Sequence, residues 1–320
     1  MSVHNSNQEQ TSLSFRFLEN TEEIREILEV RLPKSANVYN LSRVYSNFKK
    51  PEEMAFYVMC LPNNEPFLET TKAKLNESGT WILVTYFRED YGMRYAVSAP
   101  GNVEITPEIK KAFTESQYIN WNAHYHFSCI DFGINQMIWE ISTKHFGNSV
   151  SSMPCKIFVM GKEQAASLHV DIPRNEENGC KVELNSLSSD VAKGTRFICQ
   201  TWKYSIPGKT DLAIEKLLRK NKSVGLYRRN GSESGEILCG MLTNDCGLMG
   251  MLHTVPEHRG KGYATLVTKK LMKNLAAENG AVPCSAVEMR NYQSIAFHEK
   301  LGMNFSHYAD FIKYVPQTWS

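Results

Sequence analysis

No two of the eight cysteines (60, 129, 155, 180, 199, 239, 246 and 284) stand in a CxxC pair. A disulfide scaffold or a structural zinc site needs such clustering, so neither is expected, nor is any metal. The thiols read as reduced, small apolar residues of an intracellular chain, cytoplasmic or mitochondrial. Charge of one sign is also scarce. A net charge of +2 leaves no strongly basic footprint for nucleic acid. No apolar run reaches the roughly 20 residues of a membrane-spanning helix, so no membrane insertion is expected. The start, MSVHNSNQEQTSLSF, lacks the charged-then-apolar layout of a secretion signal.

What is present is ordinary globular composition, 42% hydrophobic and 22% charged over 320 residues, enough for two domains. The pattern is densest after residue 180. VELNSL reads as a strand, and Ser188, Ser189 and Asp190 offer caps for a helix through Trp202. Thr210 and Asp211 offer caps for the amphipathic run LAIEKLLRK. SVGLYRRN, EILCGMLT and LMGMLHTV, separated by GSESG and NDCG, read as an antiparallel meander. Pro256 ends it, a helix is expected over 260–279 with Gly280 as its stop, and strand, helix and strand complete the half.

The first half follows a looser version of this plan. TEEIREILEV reads as a helix, MAFYVMCLP, WILVTYFRE and GMRYAVSAP as strands, EIKKAF as a helix, and 127–146 as a longer one. A strand hairpin, a proline and a helix therefore occur twice, as a degenerate duplication would leave them. The expected division is a flexible start at 1–14, a first domain at 15–178 and a second at 179–320. The most linker-like segment is PRNEENG at 173–179.

VPEHRGKGYATLV, at 255–267, places two glycines where a helix should begin. A helix N-terminus presents unpartnered amides and a dipole that favours negative charge. Bare backbone at Gly260 and Gly262 would let an anion approach, with Arg259 or Lys261 adding charge. The N–H groups of Gly260, Lys261, Gly262, Tyr263, Ala264 and Thr265 could wrap a pyrophosphate. A Rossmann turn would carry GxGxxG straight after its strand, whereas Pro256 to Arg259 intervene here and Thr265 stands third; a P-loop would need GKS or GKT. The remaining alternative is a helix that merely starts at a glycine turn.

Arg259-x-x-Gly262-x-Ala264 is followed 32 residues later by Asn291-x-x-Ser294-x-x-x-His298-x-x-x-Gly302. This pair resembles the two signature motifs of the GCN5-related N-acetyltransferases, and the order of elements from Val182 to Val315 is similar to that fold. LPKSANVYNLSRVY, YINWNAH and HTVPEHRGKG look like glycine N-acyltransferases and glycine N-acyltransferase-like proteins, whose two halves share the fold and whose second half alone binds acyl-CoA. The resemblance implies an α/β architecture of the α+β type: two such halves, a mixed central sheet flanked by helices, and a degenerate N-terminal half.

It also implies transfer of an acyl or acetyl group from acyl-CoA or acetyl-CoA to a small-molecule amine, glycine or another amino acid among the acceptors. Pantetheine would lie between the strand ending at Val255 and the strand at 282–288, contacting backbone at Leu252, His253 and Thr254. Asn291 and Ser294 belong to the second motif. The proton donor to the leaving thiolate, usually tyrosine, falls on His298, with Tyr292 as fallback. The family's glutamate falls on Leu248, and a second superfamily position falls on Gly250. His253 is then the nearest titratable strand residue. Without either glutamate, a binding module that retains the pocket but lacks turnover is the alternative. Acceptor, acyl length and oligomeric state are not legible.

Overall fold

The structure is a computed structural model that describes residues 13–44, 54–59, 79–101, 104–147, 149–171, 181–229 and 235–315. The polar start up to residue 12, the linker-like segment at 173–179 and most of the GSESG turn lie outside the described residues.

The first half contains β1 (Arg16–Leu18), α1 (Glu22–Val30), α2 (Ala36–Val44), β2 (Met54–Met59), β3 (Trp81–Arg88), β4 (Gly92–Ser98), α3 (Pro107–Thr114), β5 (Tyr125–Asp131), α4 (Phe132–Glu140) and β6 (Ser149–Val159). After the short helix α5 (Lys162–Ala166) the plan repeats. It runs through β7 (Lys181–Asn185), α6 (Val191–Thr201), α7 (Thr210–Lys220), β8 (Ser223–Arg229), β9 (Glu236–Thr243) and β10 (Met249–Thr254). It ends with α8 (Tyr263–Asn279), β11 (Cys284–Glu288), α9 (Tyr292–Lys300) and β12 (Asn304–Val315).

All twelve strands form one mixed sheet in the order β1-β2-β3-β4-β5-β12-β6-β11-β10-β9-β8-β7. Read from either edge inward, the order is the same except at the centre, where the last strands are exchanged. β6, from the first half, pairs with β11, and β12, from the second, pairs with β5; the two then pair with each other from Asn304↔Val159 to Val315↔Ser149. Duplication therefore shows in the topology itself. Each half also contains one parallel pair, β4 with β5 and β10 with β11.

Local chemistry sets most element ends. Thr106 caps α3 ahead of Pro107, Asp131 caps α4, Asp190 caps α6, and Gly280 at φ +60° closes α8. Three expectations are corrected. Residues 127–131, expected as the start of a helix, belong to strand β5, whose two edges pair with β4 and β12. Helix α8 starts at Tyr263, after both glycines. Thr210 and Asp211 fasten the preceding turn, accepting from Ile206 N (2.8 Å) and Gly208 N (3.2 Å), rather than capping α7.

One core cluster crosses between the halves. Val38, Tyr39 and Leu41 of α2 share it with Cys246, Leu248, Val282 and Cys284. Separate clusters fill the α8 face of the second half and its opposite, α6–α7 face.

Candidate functional site

The site begins where two parallel strands part. β10 meets β11 at Met249↔Ser285 only, so 250–254 and 286–288 are not paired with each other. On its other side β10 is bulged: Gly250 pairs with Leu242 and His253 with Gly240, so Met251 and Leu252 together face Met241. Met251 sits at φ +55°, a strained conformation for a residue with a side chain. The distortion leaves a gap with strand backbone along one wall.

The loop after β10 supplies the end of that gap. A turn over Pro256–His258 leads to Gly260 at φ +78° and Gly262 at φ +80°, the latter capping α8 without a side-chain bond. A Cβ at either glycine would meet no atom within 4 Å. Their need for glycine is therefore conformational, and the space beside them is open to a ligand. No acidic residue stands in the first turn of this 17-residue helix. Gly260, Lys261 and Gly262 are exposed, as is Arg259, whose Nε donates to the Thr254 carbonyl at 3.2 Å. The donors fit an anionic group: the N-terminal amides of a helix without a side-chain cap, its dipole and two cations.

The strand residues divide between the two faces of the sheet. Half-buried Leu252 packs against the core cluster of the α8 face, whereas His253 meets the Phe197 ring, 6.1 Å away, on the α6 face. Burial, then Arg259, lowers the His253 pKa. Thr254 donates to Cys239 Sγ at 3.2 Å. Thr265 is half-buried on α8.

Helix α9 carries the second motif. Asn291 Oδ1 accepts from Ser294 N at 3.1 Å, a cap that explains Asn at this position without ligand chemistry. Tyr292 is 76% exposed. His298 is 5% exposed and stacks on Phe158 of β6 at 5.5 Å. Its Nδ1 lies 2.7 Å from the Ser294 carbonyl, which can only accept, so Nδ1 carries the proton. Nε2 is then the bare nitrogen, buried and without a hydrogen-bond partner. Burial lowers the ring's pKa, and the Ser294 bond offsets this only in part. The neutral imidazole that burial favours presents an acceptor at Nε2.

The first of the missing glutamates, at Leu248, acquires a reason. Leu248 is 1% exposed in the core shared with α2, where an unpaired carboxylate would be costly. A carboxylate missed from sequence stands elsewhere: Glu288, at the end of β11. It pairs with Lys203 Nζ (2.5 Å) and accepts from the Tyr204 hydroxyl, both from the α6–α7 loop. Burial would raise its pKa, but the Lys203 and Tyr204 bonds outweigh it, and the net shift is downward. Its neighbour Val287 packs on the α8 face, so alternation places Glu288 on the α6 face with His253. Only tertiary contact identifies this cluster.

Residues 223–310 match the family model for FR47-like proteins. Among curated proteins no sequence matches. A Drosophila protein solved by crystallography as a structural-genomics target is 17% identical and superposes with a TM-score of 0.70, over 94% of this chain and 98% of that one. A GCN5-related N-acetyltransferase from Sphaerobacter thermophilus is 10% identical, with a TM-score of 0.50 over 96% of each chain. The chain has the GCN5-related N-acetyltransferase fold, in two halves. No described helix is long and apolar enough to cross a membrane, and no described group of three or more His, Cys, Asp or Glu could hold a metal.

Proposed function

We propose that this chain is an N-acyltransferase that moves an acyl or acetyl group from acyl-CoA or acetyl-CoA to the amine of a small molecule. The observation that carries the reading is the parting of β10 from β11 directly ahead of the Gly260–Gly262 turn. An extended chain can enter the gap while its diphosphate rests on α8. Residues 179–320 form the acyl-CoA unit, completed by β6 from residues 15–178.

In this reading Arg259, Lys261 and the amides from Gly260 to Thr265 hold the diphosphate, and Leu252 to Thr254 offer backbone to the pantetheine. Bound acyl-CoA supplies the activated carbonyl; the amine forms the new C–N bond as the C–S bond breaks. Two proton transfers are needed. On the α6 face, ionised Glu288 attracts the ammonium and takes its proton, directly or through water, with His253 as the neighbouring neutral acceptor. His298 Nε2, on the α8 face, holds a proton in transit to the thiolate sulfur, since a neutral imidazole must receive one before it gives one. Tyr292 is the alternative donor. The resemblance to glycine N-acyltransferases makes glycine the first acceptor to test, in a reduced compartment, cytoplasmic or mitochondrial, that suits the free cysteines at 129, 155, 199, 239, 246 and 284.

The test is CoA release by the full chain with a panel of acyl-CoAs and amines. Turnover with at least one pair, lost in Glu288→Gln, supports the reading. Tight acyl-CoA binding with no release across the panel would instead establish a binding module.

A further inference from the structure

The first half contains the counterpart of the C-terminal gap. β4 and β5 pair from Met93↔Tyr125 to Tyr95↔Phe127 and no further, so 96–98 and 128–131 part as 250–254 and 286–288 do. Cys129, at φ +57°, distorts the far strand. Between the parted ends lies a cavity of about 520 Å³, within the size range of small-molecule sites. Its walls are the end of β4 with the following turn (97–101), the α1–α2 loop (30–35), the end of β5, the first turn of α4, and His307 of β12. These are the same structural parts that surround the gap between β10 and β11. No glycine pair follows Pro100, so the diphosphate cradle has no equivalent here.

The lining is amphipathic. Val97, Cys129 and Ile134 are almost fully buried and give an apolar wall. Arg31, only 7% exposed, lines the same cavity, as does Asp131. Lys34 pairs with Asp131 at 3.7 Å and is well exposed, placing a second cation at the mouth. A buried planar fork of donors beside apolar walls matches a carboxylate joined to a hydrocarbon body.

We infer that the cavity between β4 and β5 is a second ligand site, one that takes a small organic carboxylate. Guanidinium and carboxylate pair, Lys34 draws the anion in, and the apolar body fills the space against Val97 and Ile134. The site is separate from the acyl-CoA gap, with the exchanged strands β12 and β6 between them.

Calorimetric titration of the full chain with hexanoate and benzoate tests this, with inorganic phosphate and hexanol as the arms lacking tail or charge. Saturable binding of a carboxylate, at least about tenfold tighter than either control, is expected. Ala99→Phe, which fills the cavity with a ring, and Arg31→Met, which removes the charge, should each weaken it at least about tenfold. Gly260→Val with Gly262→Val should leave it unchanged, which separates this site from the acyl-CoA reading. No saturable carboxylate binding, phosphate binding as tight as hexanoate, or loss in the glycine variant overturns the assignment. So does undiminished affinity in folded Ala99→Phe or folded Arg31→Met. Where Arg31→Met does not fold, Ala99→Phe decides.

Discussion

Asn40 and Val282 hold each other twice. Asn40 Nδ2 donates to the Val282 carbonyl and Asn40 Oδ1 accepts from the Val282 amide, both at 2.8 Å. The same Nδ2 donates to the Gly247 carbonyl, also at 2.8 Å. One buried side chain of α2 therefore ties together the turn entering β10 and the segment entering β11, the two strands that part at the site. The phrase around it, VYNLSRVY, carries no recognisable chemistry as sequence; its work is to position the gap.

Asn40→Ala should cost about 3 kcal/mol, since it leaves both backbone groups of Val282 buried without partners and Gly247 O with only the Cys284 thiol, at 3.6 Å. Urea denaturation should show the lower midpoint. Acyl-CoA affinity should fall further than in a core variant of equal stability remote from the gap, such as Ile138→Val.

Gly260→Val with Gly262→Val should strain the loop, because branched side chains rarely adopt φ near +80°. With two amide contacts to an anion lost, acyl-CoA should bind at least about a hundredfold more weakly. Equilibrium binding measures it, and an unaltered circular dichroism spectrum shows the fold is kept. Unchanged affinity in that folded protein would falsify the loop assignment.

His298→Ala should lower turnover by about a hundredfold with little change in acyl-CoA affinity. The working form is the neutral ring, and burial lowers its pKa. Wild-type turnover should therefore lose its His298-dependent part only on the acid side of the ordinary histidine range. The alanine variant should lack that acid limb. A variant with wild-type turnover at every pH leaves His298 a purely structural residue.

His126 should make the fold acid-sensitive. Burial, then Arg94, lowers its pKa to about 3. The unfolded chain binds the proton more readily, so this contribution is complete above an unfolded value of about 6.5 and is lost as pH falls toward 3. At pH 5 the loss should be roughly 2 kcal/mol. His126→Phe should flatten the stability slope between pH 6.5 and 4, read from denaturation midpoints. An equally steep slope in the variant assigns the sensitivity to other groups.

The sequence by itself determined what neighbours along the chain decide. Gly260 and Gly262, the stop at Gly280 and the cap at Asn291 are set by backbone and side chains within a few residues, so their order carried the second half's plan. The amphipathic helix before Gly280 was legible for the same reason. Tertiary structure alone decided the rest. Strand exchange at β6 and β12, the Asn40 clasp across 242 residues and the meeting of Glu288 with Tyr204 across 84 depend on pairings that local pattern does not encode. The short segment of β5 read as the start of a helix because so few residues cannot separate a strand buried on both faces from a buried helix. Its partners β4 and β12 settled the choice, since hydrogen bonds on both edges and packing on both faces are available there only to an extended chain.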